Sequence, residues 1–205
     1  MAGPLTVYSA PNTRAIRVVW VLEEIGAQAE IKSMPYPPRQ HAPEYFAVNP
    51  TGMVPLLIDG DVRLSESMAI CDYLASKHGS PLVVAPDDPE RAAYLQWLWY
   101  GESTLMTPLS RLNVVRQVEP KGPQIDAILA GAREHVGARL KMLEERLEGR
   151  DFLAAGRLTL ADISVSYPLH LVAMLGLEDL LGPRSAAYHQ RLRARPAHQR
   201  AIAIS

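Results

Sequence analysis

The sequence predicts a two-part chain, an α/β segment over the first eighty or so residues followed by an all-α helical bundle. Three observations lead there. Strand-like and helix-like apolar patterns alternate as β-α-β and then β-β-α as far as Gly79. The stretch from Ser80 to Pro89, with Pro81, Pro86 and Pro89, carries no helical period and reads as a linker. Beyond it the apolar residues recur almost everywhere at helical spacing. The expected domains are residues 1–80 and 90–205, joined by residues 81–89.

The elements follow in order. Residues 5–9 read as a short strand that ends at the turn signal Ala10-Pro11-Asn12. Residues 13–25 read as a helix, with Ile16, Val19, Trp20, Leu22 and Ile25 apolar and Gly26 as its stop. A second strand is expected over residues 29–34, then a proline-rich loop over 35–43 and a short helix at 44–47. Residues 54–58 and 62–64 form a hairpin over Asp59-Gly60-Asp61, and the helix over 66–78 stops at Gly79. In the second half, residues 90–118 read as one long helix. Ile125, Leu129, Ala132, Val136, Leu140, Leu143 and Leu147 make the apolar stripe of the next, which should pack antiparallel to it. Thr159 and Asp162 form a capping box, with Leu158 and Ile163 at staple positions, before a helix apolar nearly all round. That setting gives Asp162 a structural rather than a catalytic role. The run Arg191, Arg193, Arg195 and Arg200 reads as a solvated helix face.

Bulk properties exclude several function classes. Apolar residues make up 48% and charged residues 21%, with a formal net charge of −1, so nothing attracts nucleic acid or an anionic membrane. No apolar run is long enough to span a bilayer, and the first residues show no signal-peptide pattern. A single cysteine, Cys71, leaves no Cys-x-x-Cys pair and no internal disulfide. A cytoplasmic protein is expected, with no metal site and no permanently bound cofactor.

Chemistry concentrates in Asn49-Pro50-Thr51-Gly52-Met53-Val54-Pro55 and in Ser65-Glu66-Ser67. Val-Pro before a strand-like run suits a cis bond that turns the backbone of Val54 toward a ligand. Ser-Glu-Ser opening a helix offers free N–H groups for a carboxylate. Together they suit a small, extended, acidic peptide.

These motifs, in this order with the linker, the helical half and the Thr-x-x-Asp box, resemble the cytosolic glutathione transferase superfamily over the whole chain. The resemblance implies a thioredoxin-like N-terminal domain that binds glutathione and an all-α C-terminal domain. It implies that Val54 pairs its backbone with the cysteinyl unit, presented by cis-Pro55, and that Glu66 and Ser67 hold the γ-glutamyl end. Met53 stands where the family often carries a donor for the glycyl carboxylate, so Gln40, or Arg39 or His41 beside it, takes that part. Catalysis requires a donor to the glutathione sulfur at the start of the first helix, where hydrogen bonds lower a thiol pKa. Asn12, Thr13 and Ser9 are the candidates. Asn12 falls where serine-type classes carry their hydroxyl. Thr13-Arg14 matches the Ser-Arg of a bacterial and fungal branch, as does Arg-x-x-Trp-x-Leu-Glu-Glu at Arg17 to Glu24. Tyr8 is expected to pack, and Cys71 to be inert.

The expected activity is attack of the glutathione thiolate on an electrophilic small molecule, with peroxidase, thiol-lyase or dehalogenase activity as related outcomes. The electrophile would lie against the long helix carrying Tyr94, Trp97, Trp99, Tyr100, Leu105 and Met106. A homodimer is implied. The competing reading is a noncatalytic glutathione-binding or protein-interaction module of the same fold.

Overall fold

In a computed structural model, which describes residues 5–120 and 122–204, the chain divides into two compact units. The first comprises residues 5–83 with 193–204, the second residues 84–192.

The first unit is built on a four-stranded sheet of order β2-β1-β3-β4. Strand β1 (Thr6–Ser9) pairs in parallel with β2 (Glu30–Ser33) and antiparallel with β3 (Leu56–Asp59), which makes a hairpin with β4 (Val62–Leu64). The parallel pair requires a crossover, and α1 (Ala15–Ile25) supplies it. Val7 and Leu57, Val18 and Trp20 of α1, and Ile70 and Leu74 of α3 (Ser67–Lys77) are fully buried. Each such aliphatic side chain contributes roughly 1.5–3 kcal/mol. Gly26 ends α1 in the left-handed conformation. The proline-rich segment expected as a loop contains one short helix, α2 (Pro38–His41), because Pro38 at its first turn has no N–H to leave unpaired. A 3-10 turn follows over Pro43–Ala47.

Helix α9 (Pro196–Ile204) belongs to this unit, although the sequence pattern had grouped residues 90–205 together. The reason lies on α1. His198 meets the Trp20 ring edge-on at 4.7 Å, and Arg195 donates twice to the Glu24 carboxylate at 2.7 and 2.9 Å. Arg200 pairs with Glu23. The arginine-rich face expected to be solvated is therefore largely engaged with carboxylates.

The second unit is helical. The helix expected over residues 90–118 is α4 (Arg91–Trp99), a π-helical turn (Tyr100–Leu105) and α5 (Met106–Val115) in succession. Pro108 cannot donate to the carbonyl one turn back, which loosens the ladder there. At Gly101 a side chain would lie 2.4 Å from Ser164 Oγ, so only glycine lets α7 (Leu160–Met174) approach this closely. Ser164 then donates to the Leu98 carbonyl at 2.7 Å. Helix α6 (Pro123–Arg146) buries Ala132, Val136, Leu140 and Leu143, the stripe read from the sequence. Helix α8 (Pro183–Arg193) closes the unit and brings Tyr188 to the start of α7. No helix among the described residues is long and apolar enough to cross a membrane.

Candidate functional site

The segment before β3 is fixed by its own side chains. Asn49, buried, donates its Nδ2 to the Met53 carbonyl at 2.8 Å, while its Oδ1 accepts from the N–H and the hydroxyl of Thr51. The Tyr45 hydroxyl also donates to the Met53 carbonyl, at 3.0 Å, and burial pushes that phenol above its ordinary pKa, so it stays a donor. Gly52 sits at φ +61°, where an added Cβ would lie 2.8 Å from the Phe46 ring and 2.9 Å from Arg39 Cβ. Glycine is needed there for both backbone and space. Helix α2 and the 3-10 turn thereby pack over this loop, with Arg39, Gln40 and His41 exposed beside it.

The Val54–Pro55 peptide bond is cis. Pro55 is buried and Val54 half-buried. Met53 spends its N–H on Thr51 Oγ1 and its carbonyl on Asn49 and Tyr45, whereas the backbone N–H and C=O of Val54 meet no hydrogen-bond partner among the described residues. An unpaired backbone edge at the end of a sheet is a place for an extended ligand to add as a strand.

Helix α3 opens nearby in the chain. Its first intrahelical bond runs from the Ile70 N–H to the Glu66 carbonyl at 2.9 Å, so the amides of Ser67, Met68 and Ala69 stay open at its N-terminus. Glu66 is exposed, in extended conformation, and its side chain makes no capping bond. Ser67 is buried, and its hydroxyl oxygen accepts from Arg17 Nη1 at 3.2 Å. With its oxygen so engaged, that hydroxyl keeps its proton to donate elsewhere. Arg17 is completely buried on α1. In the sequence it stands only as the first residue of the Arg17 to Glu24 motif. The signal was a charged residue inside the otherwise apolar run Ile16 to Leu22, which is a poor place for a guanidinium without a task.

The three candidate donors to sulfur separate clearly. Asn12 is exposed in the left-handed region at φ +58°, just ahead of α1. The Thr13 hydroxyl turns inward, donating to the Ala10 carbonyl at 2.7 Å and accepting from the Ala15 N–H at 3.3 Å. Ser9 is fully buried at the end of β1, and its Oγ has no partner among the described residues. Tyr8 packs on Tyr45, ring centroids 5.2 Å apart. Burial pushes the Cys71 thiol up to about 12, so it carries no thiolate near neutral pH. Asp162 accepts from the Leu153 and Thr159 N–H groups and from the Tyr188 and Thr159 hydroxyls, wholly within the core. The described residues hold no cluster of histidine, cysteine and acidic side chains suited to a metal.

Comparison with known proteins gives this arrangement a family. Residues 3–76 match the model of the glutathione S-transferase N-terminal domain, and residues 109–196 that of the C-terminal domain. A probable glutathione S-transferase of Oryza sativa is 34% identical over 170 residues, covering 79% of this chain and 78% of that protein. Glutathione S-transferase F10 of Arabidopsis thaliana is 29% identical across 94% of both chains. Among solved structures, a glutathione transferase family member of Pseudomonas fluorescens with two glutathione bound superposes with a TM-score of 0.86 at 25% identity. It covers 98% of this chain and 93% of its own. A Phanerochaete chrysosporium glutathione transferase in complex with oxidized glutathione gives 0.81 at 29% identity, covering 97% and 94%. A thioredoxin-like unit with an open backbone edge at Val54, an uncapped α3 and matched family domains on both halves mark the chain as a member of the glutathione S-transferase superfamily.

Proposed function

We propose that this glutathione transferase holds glutathione along the Val54 edge and the N-terminus of α3, and that Asn12 stabilises the thiolate. The observation that carries the reading is the pair of open polar surfaces in one unit, the unpartnered Val54 backbone and the uncapped start of α3. The cysteinyl N–H and C=O of the tripeptide complement Val54. The γ-glutamyl carboxylate suits the open amides and hydroxyl of Ser67, and its ammonium suits Glu66. Gln40, with Arg39 next to it, serves the glycyl carboxylate in place of Met53, which has no donor. Asn12 takes the sulfur because it is exposed just ahead of α1, whereas Thr13 and Ser9 are buried. An amide N–H donated to sulfur favours the charged form and lowers the thiol pKa.

The second substrate is an apolar electrophile, and the active form is a cytoplasmic homodimer. Leu95 and Trp99 of α4, one turn apart and 36% and 60% exposed, support a self-association face on that helix. The deciding experiment combines retention on immobilised glutathione with turnover of electrophilic substrates. Ser67→Ala is expected to weaken retention sharply. Retention as tight as wild type would sink the γ-glutamyl assignment. Tight glutathione binding without conjugation, lyase or peroxidase turnover would instead favour a noncatalytic module.

A further inference from the structure

The open N–H of Val54 belongs to the same amide as the Met53 carbonyl, and two buried side chains hold that carbonyl. Tyr45 gives its hydroxyl at 3.0 Å and Asn49 its Nδ2 at 2.8 Å, with 2% and 4% of their surfaces exposed. Two donors use both lone pairs of a carbonyl oxygen. They come from one turn, since the Asn49 N–H donates to the Tyr45 carbonyl at 2.8 Å. The Tyr45 ring is fixed in a cluster with Ala42 and Leu56, its centroid 5.2 Å from that of Tyr8, so the core aims its hydroxyl. The Met53–Val54 peptide bond is trans. A trans amide is planar, with its N–H antiparallel to its C=O. Drawing the Met53 carbonyl toward Tyr45 and Asn49 therefore turns the Val54 N–H the opposite way, off the loop.

We propose that Tyr45 is a positioning residue for the tripeptide: with Asn49, its hydroxyl sets the direction and strength of the Val54 N–H that meets the cysteinyl carbonyl of glutathione. Tyr45 acts this way only if Val54 is the cysteinyl edge, as proposed above, and it does so without touching the ligand. Direction comes from the second donor. One hydrogen bond leaves an amide free to tilt about it, and a second removes that freedom. Strength comes from polarisation, because hydrogen bonds accepted by a carbonyl strengthen the N–H of the same amide by about 10–30% per bond.

Tyr45→Phe keeps the ring in its cluster and removes only the hydroxyl. Calorimetry is expected to show glutathione bound about fivefold more weakly, the worth of one hydrogen bond. In nitrogen-15 spectra of the free protein, the Val54 amide proton should move upfield while those of Leu57 and Ile58 in β3 stay in place. A general loss of stability produces no such selective shift. Asn49→Ala, which removes the other donor, should move the Val54 resonance in the same direction. In the wild type that resonance should respond to added glutathione. If it does not, the Val54 edge itself is misassigned. If it does, and Tyr45→Phe leaves both resonance and affinity as they were, Tyr45 only packs. Either effect of Tyr45→Phe without the other would equally overturn the positioning role, since affinity and the Val54 amide would then be uncoupled.

Discussion

Two helices of this protein begin with a hydroxyl residue and a carboxylate, and they use them in opposite ways. At the start of α7 the Asp162 carboxylate reaches back to the Thr159 N–H at 2.8 Å and also accepts from Leu153 and Tyr188. The side chains of Thr159 and Asp162 meet each other and the chain around them inside the core, and both residues are fully buried. At the start of α3 the order is reversed, carboxylate first. Glu66 points to solvent without capping, and the first amides have no partner among the described residues. A helix start that satisfies itself serves the fold, because a buried orphan amide costs too much to keep. One that stays open at the surface loses little, since water satisfies it until a ligand arrives.

Substitutions at the two helix starts should therefore separate stability from binding. The largest effect is expected from Asp162→Ala, which orphans the Leu153 and Thr159 N–H groups and the Tyr188 hydroxyl. A loss of about 3 kcal/mol or more in urea unfolding is expected, about 1–3 kcal/mol for each buried group left unmatched. Ser67→Ala removes one acceptor from the buried Arg17 and should cost about 1–3 kcal/mol in unfolding, less than Asp162→Ala, while weakening glutathione about tenfold, roughly 1.4 kcal/mol, by calorimetry. If Ser67→Ala proves the more destabilising of the two, the contrast between the helices fails. Arg17→Met sharpens the same comparison. Acting through Ser67, it should cost about tenfold in glutathione affinity but add little in the Ser67→Ala background. Full additivity would show that Arg17 reaches the ligand by another route.

Asn12→Ala should raise the pH at which the bound thiolate absorbs by about one unit, equivalent to about 1.4 kcal/mol, whereas Thr13→Ala should leave that midpoint nearly in place. The smallest effect belongs to α9. Burial raises the Glu24 pKa, but hydrogen bonds from Arg195 and Trp20 and the nearby arginine charges outweigh it and hold the carboxyl below its ordinary value. A depressed carboxyl contributes stability above its unfolded pKa and loses it as the pH falls through the folded one. The stability gap between wild type and Glu24→Gln, about 1 kcal/mol at pH 7, should thus close below about pH 4. A gap that persists into acid would mean the contact is packing rather than charge.

Much of this was legible in the chain itself. The succession β-α-β and β-β-α, the hairpin at Gly60, the α6 stripe and the Thr159–Asp162 box are local patterns, and local patterns survive folding because period and capping act within a few residues. The motifs at Val54-Pro55 and Glu66-Ser67 stood out for the same reason. Less legible was the break in the long helix. Gly101 and Pro108 were the visible signs, but the π turn depends on how close α7 comes at Ser164. The inward turn of Thr13 also escaped, since Asn12 and Thr13 are both ordinary residues at a helix start.

By itself the sequence determined the two-part architecture, the family and which short segments carry polar groups suited to a tripeptide. The tertiary structure alone decided how those groups are spent. It set Arg17 against Ser67, fifty positions apart, drew α9 onto α1 through Glu24 and His198, and brought the Tyr45 hydroxyl onto the Met53 carbonyl. The physical reason is range. Periodicity and capping are written in neighbouring residues, whereas whether a donor is matched depends on what the folded chain places beside it.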